Sequence, residues 1–110
     1  MPLLERVRVE VYIPDLPSSE YQDLLRSLQE EFTYAFGGSS LLSGLEGSYL
    51  SERGDRVPDR VNLIYSDAPL ALSTNSGTVA TYVRKLKQAA TDALSEEVVL
   101  VSVQQVYHAV

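Results

Sequence analysis

The chain has no cysteine and no tryptophan, one histidine and one methionine. Without cysteine there is no disulfide framework and no thiolate to act as nucleophile or metal ligand. A lone histidine leaves too few ligands for zinc, which takes several His or Cys side chains. No metal and no cofactor are therefore expected. Long apolar runs are lacking too: nothing approaches the roughly 20 residues that span a bilayer. The opening Met1-Pro2-Leu3-Leu4-Glu5 lacks the basic and long apolar regions of a signal peptide. The expected setting is cytoplasmic, away from membranes.

Basic residues are few, 9 against 15 acidic, for a net charge of −6 over 110 residues. Proteins that grip phosphate backbones carry a basic face, so no nucleic-acid partner is expected. Arg6 with Arg8, Arg53 with Arg56 and Arg60, and Arg84, Lys85 and Lys87 read as solvated charge. Motifs are missing as well. The Gly37-Gly38-Ser39-Ser40 run lacks the spacing and lysine of a phosphate-binding loop, and there is no dinucleotide fingerprint or nucleophile elbow.

What remains is a clear pattern of elements in one domain, residues 1–110. Val7, Val9, Val11 and Ile13 alternate with Arg8, Glu10 and Tyr12, which predicts a strand. Ser18 is placed to cap a helix whose apolar stripe is Tyr21, Leu24, Leu25, Leu28, Phe32, Ala35 and Phe36. Gly37-Gly38 stops it. Residues 39–51 read as a strand in which Gly44 and Gly47 suggest a bulge or a close backbone approach. The polar turn 52–56 leads to a second strand at 60–66, forming a hairpin. Val79, Tyr82, Val83, Leu86, Ala89, Ala90, Ala93 and Leu94 mark a second amphipathic helix, with Thr74, Asn75 and Ser76 as candidate caps. The last strand is predicted at 98–106.

Strand, helix, strand, strand, helix, strand is the order of the ferredoxin-like α+β sandwich, a four-stranded antiparallel sheet with two helices on one face. Val7, Val9, Val11, Ile13, Val99, Val101 and Val103 should face the helices. If Val61, Leu63 and Tyr65 join them, then Ile64, Val98, Leu100, Ser102, Gln104 and Val106 face outward. Such a half-apolar outer face suggests association, and a homo-oligomer using this face or an edge strand is expected.

The topology gathers Phe36, Gly37, Gly38, Ser39, Ser40, Tyr65, Asp67, Asn75, Tyr107 and His108 at one pole as a candidate ligand site. The glycine pair admits a ligand close to the backbone, and the start of the second helix offers N–H groups to a small anion. His108 is the candidate acid or base. The opposite pole collects Asp15, Ser18, Glu20, Glu52, Arg53, Asp55, Arg56, Asp59, Glu96 and Glu97. Its carboxylates match no calcium loop, and a metal-dependent nuclease built on Asp15 is disfavoured by charge.

Phe36-Gly37-Gly38-Ser39-Ser40, Leu63-Ile64-Tyr65-Ser66-Asp67 and Val106-Tyr107-His108 together resemble a group of small uncharacterised bacterial proteins, above all cyanobacterial ones. The resemblance implies a ferredoxin-like fold and a cytoplasmic setting, and supplies no catalytic residues. The resulting expectation is a non-catalytic oligomeric module that binds a small ligand or a protein partner. The alternative is a small cofactor-independent enzyme in which His108 acts beside Tyr65, Tyr107 and Asp67.

Overall fold

The computed structural model describes residues 2–95 and 99–110. Six elements follow in order: β1 (Leu3–Pro14), α1 (Ser19–Phe36), β2 (Ser40–Leu50), β3 (Arg56–Ala68), α2 (Leu72–Leu94) and β4 (Leu100–Ala109). The sheet order is β2-β3-β1-β4, every neighbouring pair antiparallel. This is the ferredoxin-like α+β sandwich.

Alternation in β1 sorts the two layers. Val7, Val9, Val11 and Ile13 are almost fully buried, and Leu24, Leu25, Leu28, Phe32, Leu86, Ala90 and Leu94 from the helices cover them. Val101 and Val103 pack against the same core. Val98, Glu96 and Glu97 lie outside the described residues.

The phase of β3 is the reverse of the expectation. Val11 pairs with Ile64, which puts Ile64 on the helix side at 0 % exposure, while Val61, Leu63 and Tyr65 face outward. The helix-facing half of β3 is the more polar one, because each polar group there has a partner. The Asn62 Nδ2 donates to Asp15 Oδ1 at 3.3 Å, and its Oδ1 accepts the Gly44 N–H at 3.0 Å. The Ser66 hydroxyl donates to the Gly38 carbonyl. Buried polar groups are tolerated when they are hydrogen-bonded in this way.

The helix ends depart from the reading in one place. Gly37 ends α1 in the left-handed region at φ 88°, its N–H donating to the Thr33 carbonyl. Ser18 stands at the N-cap, but its side chain makes no capping bond. Helix α2 starts earlier than Thr74, at Leu72 after Ala71, and kinks at Asn75. The Asn75 side-chain Oδ1 accepts the Ala71 N–H and the Thr74 hydroxyl, which holds the kink.

Gly44 supplies the bulge, and Gly47 stays in regular pairing with Asp59. Between Leu42 and Leu45 the β2 register shifts, leaving Ser43 and Gly44 opposite Asn62. Gly44 has φ 68°, and a Cβ there would meet Arg60 Nη2 at 2.7 Å. The arginine tip can move, so the backbone conformation carries the cost. Gly44→Ala should destabilise by about 1–2 kcal/mol, read as a lower urea midpoint at unchanged slope.

Strands β2 and β3 outrun the rest of the sheet. β1 ends against Val61 and the Asp15 N–H donates to the Arg60 carbonyl, so residues 56–59 pair only with residues 47–50. This two-stranded arm accounts for the 48 Å long axis and for a radius of gyration of 15.2 Å, against roughly 13 Å for a compact chain of this length.

Candidate ligand-binding site

The antiparallel register sets six side chains together on the open face of the sheet. Arg8 pairs with Asp67 on one side and Gln104 on the other; Glu10 pairs with Tyr65 and Ser102. All sit on the face away from the helices, because β1 residues of that parity point outward. The Arg8 guanidinium grips Asp67 through two bonds, Nε to Oδ1 at 2.8 Å and Nη2 to Oδ2 at 3.0 Å. It also lies 4.3 Å from the centre of the Tyr65 ring, a cation–π arrangement. His108 Nε2 reaches Asp67 Oδ2 at 2.7 Å from β4, across the width of β1. A second chain of bonds lies beside it: the Gln104 amide and the Tyr12 hydroxyl donate to Glu10 at 2.9 and 3.3 Å.

The electrostatics follow from these contacts. The Arg8 bonds hold the Asp67 carboxyl below the usual carboxylate range, against the opposing pull of partial burial, and His108 adds to the lowering. Arg8 is itself held more firmly protonated by Asp67. Tyr12 is pushed upward by burial and then by Glu10. Tyr65 and Asp67 connect this cluster to a shallow cleft of about 340 Å³ at the sheet edge, where Gly37, Gly38, Ser39 and Ser40 form the other wall.

The structure thus brings together Asp67, His108 and Tyr65, with the cleft residues alongside. It does not bring Tyr107 with them. Tyr107 pairs with Glu5 and His108 with Leu4, so the two point to opposite faces. Phe36 contributes to a wall of the cleft, but its ring belongs to the core, 5.2 Å from Tyr82 and 6.2 Å from Phe32. The Asn75 Oδ1 is engaged in the α2 kink. At the start of α2 the Leu72 N–H donates to Gln105 Oε1 at 2.9 Å, and the Thr74 and Asn75 N–H groups donate to the Ala71 carbonyl. Arg8, Glu10 and Gln104 are the residues the sequence reading missed. An outward arginine on a strand flanked on both sides is the signal that points to Arg8, but its partner stands 59 positions away.

Larger hollows lie elsewhere. One of about 730 Å³ runs between the helices over Leu24, Leu28, Leu86 and Ala90. Another, about 800 Å³, lies beneath the arm by Asp15, Asp59 and Arg60. Asp15 there is engaged by Asn62 and stands 3.8 Å from Arg60. Among the described residues no three His, Asp or Glu side chains are grouped to hold a metal ion, and no helix is long and apolar enough to cross a membrane.

No protein-family model matches the sequence, and no curated protein matches it. Among solved structures, the chain is similar to a phage SAM lyase in complex with S-methyl-5'-thioadenosine. The TM-score is 0.59 at 18 % identity, over 90 % of this chain and 80 % of that one. At that identity the likeness establishes the shared ferredoxin-like fold.

Proposed function

We propose that this protein is a homo-oligomer that binds a small ligand with a flat heteroaromatic ring, of the nucleoside class. The ligand sits where the open sheet face meets the turn at residues 37–40. The observation that supports this reading is the Arg8–Asp67–His108 cluster over the Tyr65 ring. A planar guanidinium beside an aromatic ring suits a stacked base, and Asp67 and His108 offer an acceptor and a donor to its polar edge. The phage protein of the same fold is in complex with a nucleoside thioether. Pairing of Arg8 with Asp67 favours a neutral ligand over the small anion suggested by the sequence. A bacterial, cytoplasmic setting belongs to the same proposal and rests on the resemblance to the small cyanobacterial proteins.

One distance favours a second, catalytic reading. At 2.7 Å, Asp67 fixes His108 through Nε2, which leaves Nδ1 to move a proton at a bound ligand. The phage neighbour is a lyase, and this reading gives His108 the acid or base role in such a reaction. Calorimetric titration with S-methyl-5'-thioadenosine and with S-adenosylmethionine tests both. Saturable binding that weakens at least tenfold in Tyr65→Ala supports the ligand reading; absence of heat at millimolar nucleoside removes it. Breakdown of S-adenosylmethionine by the wild type, lost in His108→Gln with binding kept, selects the enzyme.

A further inference from the structure

We propose that a second copy of this chain covers the open sheet face, turned end for end, so that its β2–β3 arm closes the cleft at residues 37–40. The inference deepens the ligand reading above by naming what completes that site.

The arm is the first observation. Residues 47–50 and 56–59 pair only with each other, and Tyr49 is 56 % exposed. A two-stranded ribbon is marginal in water without a surface to pack on. The second observation is phase. Because the bulge at Ser43 and Gly44 inserts an extra residue, Leu42 and Leu45 fall on one side although three positions apart. Tyr49 and Val57 share that side, and so does Val61, which continues into Leu63, Tyr65 and Asp67. Apolar side chains therefore line this side from the arm to the candidate site, broken by Asp59 opposite Gly47. Four strands of about ten residues make a face of roughly 600 Å², so a pair of such faces exceeds the roughly 1,000 Å² of a stable interface.

Two faces of the same sheet can meet about a two-fold axis along the strands or across them. Reach separates the two. An axis along the strands keeps every residue at its own level, so the arm meets only the partner's arm or the space beyond β1, which ends against Val61, and never reaches the partner's cleft. An axis across the strands lays β3 over β3, reversed about its middle residue, Asn62. Asp59 then approaches the partner's Tyr65, where the Arg8 guanidinium lies, and Val57 approaches the partner's Asp67. Tyr49, cross-strand from Val57, falls above the cleft edge near Ser40. The shallow cleft thereby gains an aromatic wall that one copy alone cannot supply.

The cysteine-free sequence gives a clean test. Differently tagged Tyr49→Cys and Ser40→Cys chains are mixed and treated with a short bismaleimide, without nucleoside. The expected product is the mixed pair, at least tenfold above either self-linked pair, with a dimer in sedimentation velocity that Tyr49→Asp converts to monomer. A monomeric wild type, no crosslink, or dominant self-linking of Tyr49→Cys overturns the arrangement. Nucleoside binding by a wild-type monomer removes the dimer and keeps the ligand reading; a mixed crosslink without nucleoside binding does the opposite.

Discussion

Arg8→Met is expected to lower the thermal midpoint by about 8 °C, although Arg8 lies on the surface layer of the sheet. Exposed ion pairs contribute little, but this one differs. The Asp67 side chain is only 15 % exposed and receives two bonds from the guanidinium. Removing Arg8 leaves the carboxylate with His108 alone, at a cost of about 2 kcal/mol, which corresponds to that shift for a domain of this size. The pair Arg8→Met with Asp67→Leu should recover most of the loss, because no charge is then stranded. A thermal-melt cycle over the four proteins measures the coupling. Acid gives an independent reading. The folded Asp67 carboxyl titrates below its unfolded value, so its contribution is full above about pH 4 and is lost as pH falls through the lowered folded value. The double variant should show a shallower loss of stability on that acid limb. Equal acid limbs in the two proteins would count against the pairing.

Phe32→Ala should be the most damaging single core change, at about 4 kcal/mol. That is a large share of the roughly 5–15 kcal/mol available to a domain. Phe32 is fully buried, and among the described residues it is the largest side chain so enclosed. Its ring supports Phe36, which in turn meets the Tyr82 ring edge-on and so ties α1 to α2. The helices leave a groove between them, so the layer has little else to close the gap. Phe32→Leu should restore more than half of the loss. Urea titration of the three proteins decides the matter; a Phe32→Ala midpoint near that of the wild type would mean the layer can collapse around the void.

Much of this fold is readable from residues close in sequence. The alternation at Val7, Val9, Val11 and Ile13, and the stripe from Tyr21 to Phe36, sort correctly because each depends on one element's own period. β3 misleads for a physical reason. Its more apolar half, Val61, Leu63 and Tyr65, faces outward, while Asn62 and Ser66 go inside with partners from Asp15, Gly44 and Gly38. Hydropathy cannot anticipate a satisfied polar core position whose partners lie far along the chain. The site divides the same way. Asp67 and His108 stand out as polar residues at a pole, whereas Arg8 acquires its role only when β1 is laid between β3 and β4. Tyr107 fails for the simplest reason, being one residue from His108 in a strand.

The bulge at Ser43 and Gly44 works as a phase shifter. Side chains on a strand alternate strictly, so one residue more or less exchanges the two faces of everything beyond it. Were Ser43 and Gly44 drawn into regular pairing with no residue removed, Leu45, Gly47 and Tyr49 would turn to the helix side, and Glu46 and Ser48 would take their places; deleting Ser43 would instead restore plain alternation with Leu45 still outward. Two neighbouring positions thus decide whether the arm presents grease or charge to whatever approaches the sheet. The backbone conformation of this short stretch sets the outer surface more than most substitutions within it.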